Sequence, residues 1–108
     1  MKGHIASGSV AGTGAAQDVV LGFVPVYVKL FNYDDAGNAA PTMEWWDGMT
    51  DGHGLKNTTD TQAKVTSNGI SAENGVAGAS GLGFTIGADA DINASGETIF
   101  YLAIGPNE

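Results

Sequence analysis

The first dense run of β-branched and aromatic residues covers positions 18–33, where Val19 and Val20 lead through Phe23 and Pro25 into Val26-Tyr27-Val28-Lys29-Leu30-Phe31-Asn32-Tyr33. Branched and ring side chains fit a pleated surface and a proline removes a ladder donor, so the run reads as two strands parted at Pro25. Side chains alternate between the two faces of a strand. Val26, Val28 and Leu30 therefore share one face and Tyr27, Lys29 and Phe31 the other, the first being the better candidate for the core. Residues 42–47 repeat the alternation, with Met43 and Trp45 opposite Glu44 and Trp46. One Trp is expected in the core and its neighbour elsewhere.

Residues 55–59 and 63–67 predict two modest strands, and Asn68-Gly69 before Ile70 suits a two-residue type I′ hairpin turn. The last third is clearest: Phe84-Thr85-Ile86, a polar turn over 87–96, then a run over 97–104 with apolar side chains on both faces. Such a run belongs in the middle of a sheet covered on both sides, or beneath a neighbouring subunit. Clusters of Gly and Asx at 34–38 and 48–54, with a Gly-rich loop at 73–83, supply the reversals. Residues 1–16 alternate weakly and then become a Gly-Ala-Thr run, which reads as an N-terminal arm or edge strand. Residues 17–108 read as a single β-sandwich domain. The expected fold is all-β, an antiparallel β-sandwich or jelly-roll-like barrel of about 7 to 8 short strands.

Composition narrows the function more than the fold. The chain of 108 residues is 43% hydrophobic, but 15 of those positions are Ala, leaving 31 large side chains for one thin core. Seventeen Gly disfavour helix almost everywhere. Four Lys against 12 acidic residues give a net charge of −8, which repels phosphate backbones and anionic lipid alike. No nucleic-acid or membrane partner is expected. With zero Cys there is no disulfide, thiol chemistry or sulfur-ligated metal. The first residues lack the apolar stretch of a secretory signal, and no segment approaches the ~20 apolar residues of a membrane-spanning helix. The sequons at Asn57 and Asn93 are accordingly discounted.

Asp89, Asp91 and Asn93 stand at i, i+2 and i+4, the spacing with which a calcium loop opens. Ala94 and Phe100 occupy the positions where such a loop needs its turning Gly and its bidentate Glu, so the alternative is an Asx-rich turn between strands. Asp34, Asp35 and Asn38 invite the same two readings. His4 and His53 are the only imidazoles. Asp51 lies beside His53, but no Ser sits in a Gly-x-Ser-x-Gly elbow, so no triad is expected. Glu44, Asp47, Glu73 and Glu97 read as solvated acids rather than a glycosidase pair. Gly12-Thr13-Gly14 has no Lys after it and reads as flexible chain. No enzyme activity and no cofactor are expected.

Gly22-Phe23-Val24-Pro25-Val26-Tyr27-Val28-Lys29-Leu30, together with Gly83-Phe84-Thr85-Ile86-Gly87 and Asp91-Ile92-Asn93-Ala94-Ser95-Gly96-Glu97-Thr98-Ile99-Phe100-Tyr101-Leu102-Ala103, resembles small β-sandwich virion proteins of tailed bacteriophages. The quoted segments hold 27 of the chain's 108 residues, about a quarter. It implies a structural protein at the capsid surface, made in the host cytoplasm, with the major capsid protein and further copies of itself as partners, a trimer being one form. A decoration protein suits a chain that acts as a separate subunit; a fibre-associated carbohydrate-binding module is the alternative. The candidate binding residues are Trp45, Trp46, Tyr27, Ile99 and Tyr101, with Tyr33 as a further ring for a sugar.

Overall fold

The computed structural model of the chain describes residues 4–35, 41–74 and 82–106. Eight strands run in order: β1 (Ile5–Ala11), β2 (Gln17–Val20), β3 (Tyr27–Asn32), β4 (Thr42–Trp46), β5 (His53–Asn57), β6 (Gln62–Asn74), β7 (Leu82–Ile86) and β8 (Thr98–Ile104). They form one curled antiparallel sheet in the order β1-β8-β3-β4-β5-β6-β7-β2. The all-β expectation holds, in its barrel-like form. A single 3-10 turn, Tyr33–Asp35, is the one helical element among the described residues.

β1 and β2 are neighbours in sequence and the opposite edges of the sheet. The expected N-terminal arm is thus an edge strand, paired to β8 from Ile5↔Ile104 through Ala11↔Thr98. The loop joining the two edges is pinned rather than flexible, correcting the reading of Gly12-Thr13-Gly14. The Gly12 N–H donates to the Glu97 carbonyl at 2.7 Å and the Gly14 N–H to the Asn93 carbonyl at 2.9 Å. At the other end of this seam the His4 and Phe23 rings stack with centroids 5.0 Å apart.

The alternation read from the sequence places the core. Val28 and Leu30 are fully buried on the inner face of β3, beside Met43 and Trp45 of β4 and Ile99 and Ala103 of β8. Val28, Leu30, Met43 and Ile99 each contribute roughly 1.5 to 3 kcal/mol by leaving water. Tyr101 lies on the same inner face, its ring 5.7 Å from that of Phe84 on β7. It passes over β1 at Gly8, where a Cβ would stand only 2.9 Å from the Tyr101 hydroxyl oxygen. The glycine is what lets one ring cross beneath the edge strand.

Two further expectations change. Asn68-Gly69 does not reverse the chain. β6 continues through it, and the register against β5 jumps from Gly54↔Val65 to His53↔Ile70, so residues 66–69 bulge out. Asn68 takes a left-handed φ of 60°, which turns the strand without ending it. Gly69 then donates to the Gly52 carbonyl and accepts from the Gly87 N–H, both at 2.8 Å. Residues 87–96, expected as a polar turn, close the open end of the curl: Ile92 and Asn93 within them are fully buried.

Candidate functional site

The outer face of the sheet over β1, β8, β3 and β4 is where exposed apolar side chains gather. The registers align them in rows across the strands. Ile5, Ile104, Tyr27 and Trp46 make one row. Ser7, Leu102, Lys29 and Glu44 make the next, continued by Leu55 of β5 and Lys64 of β6. Ser9, Phe100, Phe31 and Thr42 make the third. Solvent reaches 73% of Ile5, 44% each of Trp46 and Phe100, and 37% of Leu102. Tyr33, 58% exposed, packs on this face edge-to-face with Phe100 at 5.5 Å. Exposed apolar groups scattered singly are ordinary, but rows of them mark a surface that meets something.

Within the face, Tyr27 and Trp46 contact edge-on, their centroids 5.0 Å apart at 62°. The Tyr27 hydroxyl donates to Glu44 Oε2 at 2.6 Å. Burial, then that hydrogen bond and the carboxylate charge, push the Tyr27 phenol up to about 12. Lys29, exposed, stands directly across the strands from Glu44.

Of the binding residues expected from sequence, the structure therefore brings Tyr27 and Trp46 together on the solvent side and turns the other three away. Trp45 is 3% exposed, and its indole N–H finds no acceptor among the described residues. Ile99 and Tyr101 face inward, as pairing of β8 with both β1 and β3 dictates. Sequence reasoning missed Phe100, Leu102 and Ile5 as surface groups. No local signal could have found them, because neither β1 nor β8 carries a charged residue that would fix which set of alternate positions faces water.

The calcium-loop residues are not brought round one point. Asn93 is consumed as a clamp. Its Oδ1 accepts from the Thr13 N–H at 2.9 Å and Gln17 Nε2 at 3.1 Å, and its Nδ2 donates to the Ala15 carbonyl at 2.7 Å and the Gly87 carbonyl at 2.9 Å. Asp89 Oδ1 accepts from the backbone N–H groups of Asp91 and Ile92 at 2.9 and 3.1 Å, the Asx-turn arrangement. The charge between the two carboxylates comes from Lys56, whose Nζ is 3.0 Å from Asp89 and 2.6 Å from Asp91. Burial alone would lower the Lys56 ammonium; the hydrogen bonds and charges of Asp91 and Asp89 outweigh it and hold the group above its ordinary value. An open cleft of about 310 Å³ beside this ion pair is lined by Thr58, Thr61, Ala63 and Val65.

The carboxylates weighed for catalysis are dispersed. Glu44 is bound to Tyr27, Glu73 accepts from the Thr85 hydroxyl at 2.8 Å, and Glu97 accepts from Asn32 Nδ2 at 2.9 Å. Asp34 accepts from the Thr98 N–H at 2.6 Å, while Asn38 lies outside the described residues. His53 begins β5, and its backbone N–H donates to the Thr50 carbonyl at 3.1 Å.

Fold and face together define a curled antiparallel sheet with an aromatic outer surface. Comparison with protein-family models, with curated proteins and with solved structures returns no match in any of the three.

Proposed function

We propose that the chain is a structural subunit of a bacteriophage virion, a capsid decoration protein that binds the outside of the head and stabilises the shell through contacts with the major capsid protein. The observation that carries this reading is the row-wise exposure of Ile5, Leu102, Phe100 and Trp46 on one face of an acidic domain. It adds a surface built for protein contact to the sequence resemblance. β1 contributes a second attachment element. It is seven residues long, pairs with a strand on one side only, and so offers its outer edge to a strand of the shell. Bound in many copies, such a subunit needs little affinity at each site, because neighbouring contacts add.

The deciding experiment is co-sedimentation with purified, undecorated shells, followed by heating. Uptake by the shells and a rise in their disruption temperature are expected. Protein left in the supernatant, with shells equally heat-sensitive in its presence and absence, overturns the reading. Trp46 and Tyr27 also favour a second reading, a carbohydrate-binding module of a fibre, since exposed rings stack on sugars. Their 62° angle gives a sugar no flat platform, which ranks this reading second. Trp fluorescence unchanged across a glycan panel would exclude it.

A further inference from the structure

The aromatic face carries its own charge pattern, and that pattern selects an occupant. Lys29 on β3 and Glu44 on β4 are cross-strand partners in the middle row, flanked above and below by apolar rows. We propose that a second copy of this chain docks on this face as a two-fold dimer, its axis running along the strands between β3 and β4. This rests on reading the face as an assembly surface and names its partner and symmetry.

In a two-fold dimer made by one face, the axis lies in the plane between the copies. An axis across the strands through the middle row would set Lys29 on Lys29 of the second copy and Glu44 on its Glu44, like charge on like. An axis along the strands between β3 and β4 instead sets Lys29 on Glu44 of the second copy, twice over. The same operation lays β8 over β5 of the other copy, because β8 and β5 flank β3 and β4 in the sheet. Leu102 then meets Leu55, and Tyr27 meets Trp46, each also twice. Apolar contact supplies the affinity, while the charges choose the register. Glu44 keeps one carboxylate oxygen for this contact, since the Tyr27 hydroxyl occupies Oε2.

The net charge of −8 on each copy opposes association, and the footprint is small. Strands about 4.8 Å apart and residues about 3.3 Å along them give four strands by five residues roughly 300 Å² in projection. That is well under the ~800 Å² per partner of a stable interface, so the dimer forms reversibly at high concentration. It leaves the β1 edge clear for a shell.

Sedimentation velocity between roughly 10 μM and 1 mM, the range so small an interface implies, tests the proposal. The native chain is expected to pass from monomer to dimer. Lys29→Glu and Glu44→Lys, each alone, are expected to weaken dimerisation at least tenfold, because each sets like charges together. An equimolar mixture of the two variants is expected to restore it, since one chain then presents two acids and the other two lysines, and both contacts of the mixed pair join opposite charges. The mixture also serves as the folding control. A native chain that stays monomeric throughout, forms a trimer, or dimerises undisturbed by either single change overturns the proposal, as does a mixture that stays monomeric. If the monomeric chain still co-sediments with shells, the face belongs to the shell, and the proposed function survives without the dimer.

Discussion

Along β8, β3 and β4 the solvent side of the sheet carries Leu102, Phe100, Phe31, Tyr27 and Trp46, whereas across β6, β7 and β2 it carries Ser71, Glu73, Thr85 and Asp18. The inner side does not differ in this way: Leu30 and Trp45 in the first half and Ile70, Phe84 and Ile86 in the second are all buried. On the polar half, the Thr85 hydroxyl lies 2.7 Å from Asp18 and 2.8 Å from Glu73, and the exposed apolar side chains are Val20 and, at the start of β7, Leu82. A core of equal quality beneath both halves means that folding does not call for the outer aromatics. They are surplus to the fold, which is why they are read as a contact surface.

That separation breaks if outer residues turn out to carry the stability. Leu30→Ala is expected to cost about 2 to 5 kcal/mol in urea unfolding. Phe31→Ser next to it, a half-buried ring on the outer side, should cost less, about 1 to 2 kcal/mol. Equal losses would refute the division of the strand into a folding side and a contact side. Asn93→Ala, which strips the clamp between the edge loop and residues 87–96, is expected to cost about 2 to 4 kcal/mol because it orphans buried polar groups. The Gly12 and Gly14 amides should then exchange hydrogen faster by NMR. The double change Trp46→Ser with Phe100→Ser should move the unfolding free energy by about 1 kcal/mol or less. It should nonetheless abolish dimer formation in sedimentation velocity.

Smaller effects sharpen the same contrast. The Tyr27 phenol is raised from 10.0 to about 12 in the folded chain, so folding favours its neutral form. The stability this supplies is fully present below pH 10 and is lost as pH rises through about 12. Absorbance titration of tyrosinate should show one step near 12 that Tyr27→Phe removes, and that variant should lose less stability over the same pH interval. Val20→Ser on the polar half should change stability by about 0.5 kcal/mol or less and leave sedimentation untouched.

Most of the strands were legible in the sequence, and so was half of the face. Lys29 and Glu44, exposed and half-exposed, mark the outer set of alternate positions on β3 and β4, which puts Tyr27 and Trp46 outside and Leu30 and Trp45 inside. β8 holds no charged residue from Thr98 to Ile104, so nothing local distinguishes Ile99 and Tyr101 from Phe100 and Leu102. Its parity comes from pairing with two strands distant in sequence, which a local pattern cannot contain. Asn68-Gly69 failed for a related reason. The dipeptide's taste for positive φ was real, but the ladder to Gly52 and Gly87 used it as a bulge. The role of Asn93 was hidden because a carboxamide that clamps two loops has the same local spacing as one that ligates an ion.

The placing of β8 between β1 and β3 also governs the order of events in folding. From β3 through β7 each strand pairs with the one that follows it, so this meander can grow by local hairpins. β1 has no such neighbour; its strand partner β8 is the last to be made. Contacts between segments so far apart in the chain are slow to form, typically taking milliseconds to seconds in domains dominated by them. During synthesis the earliest strand is the last to be secured, and its apolar Ile5 and Val10 stay open to wrong partners for the whole interval.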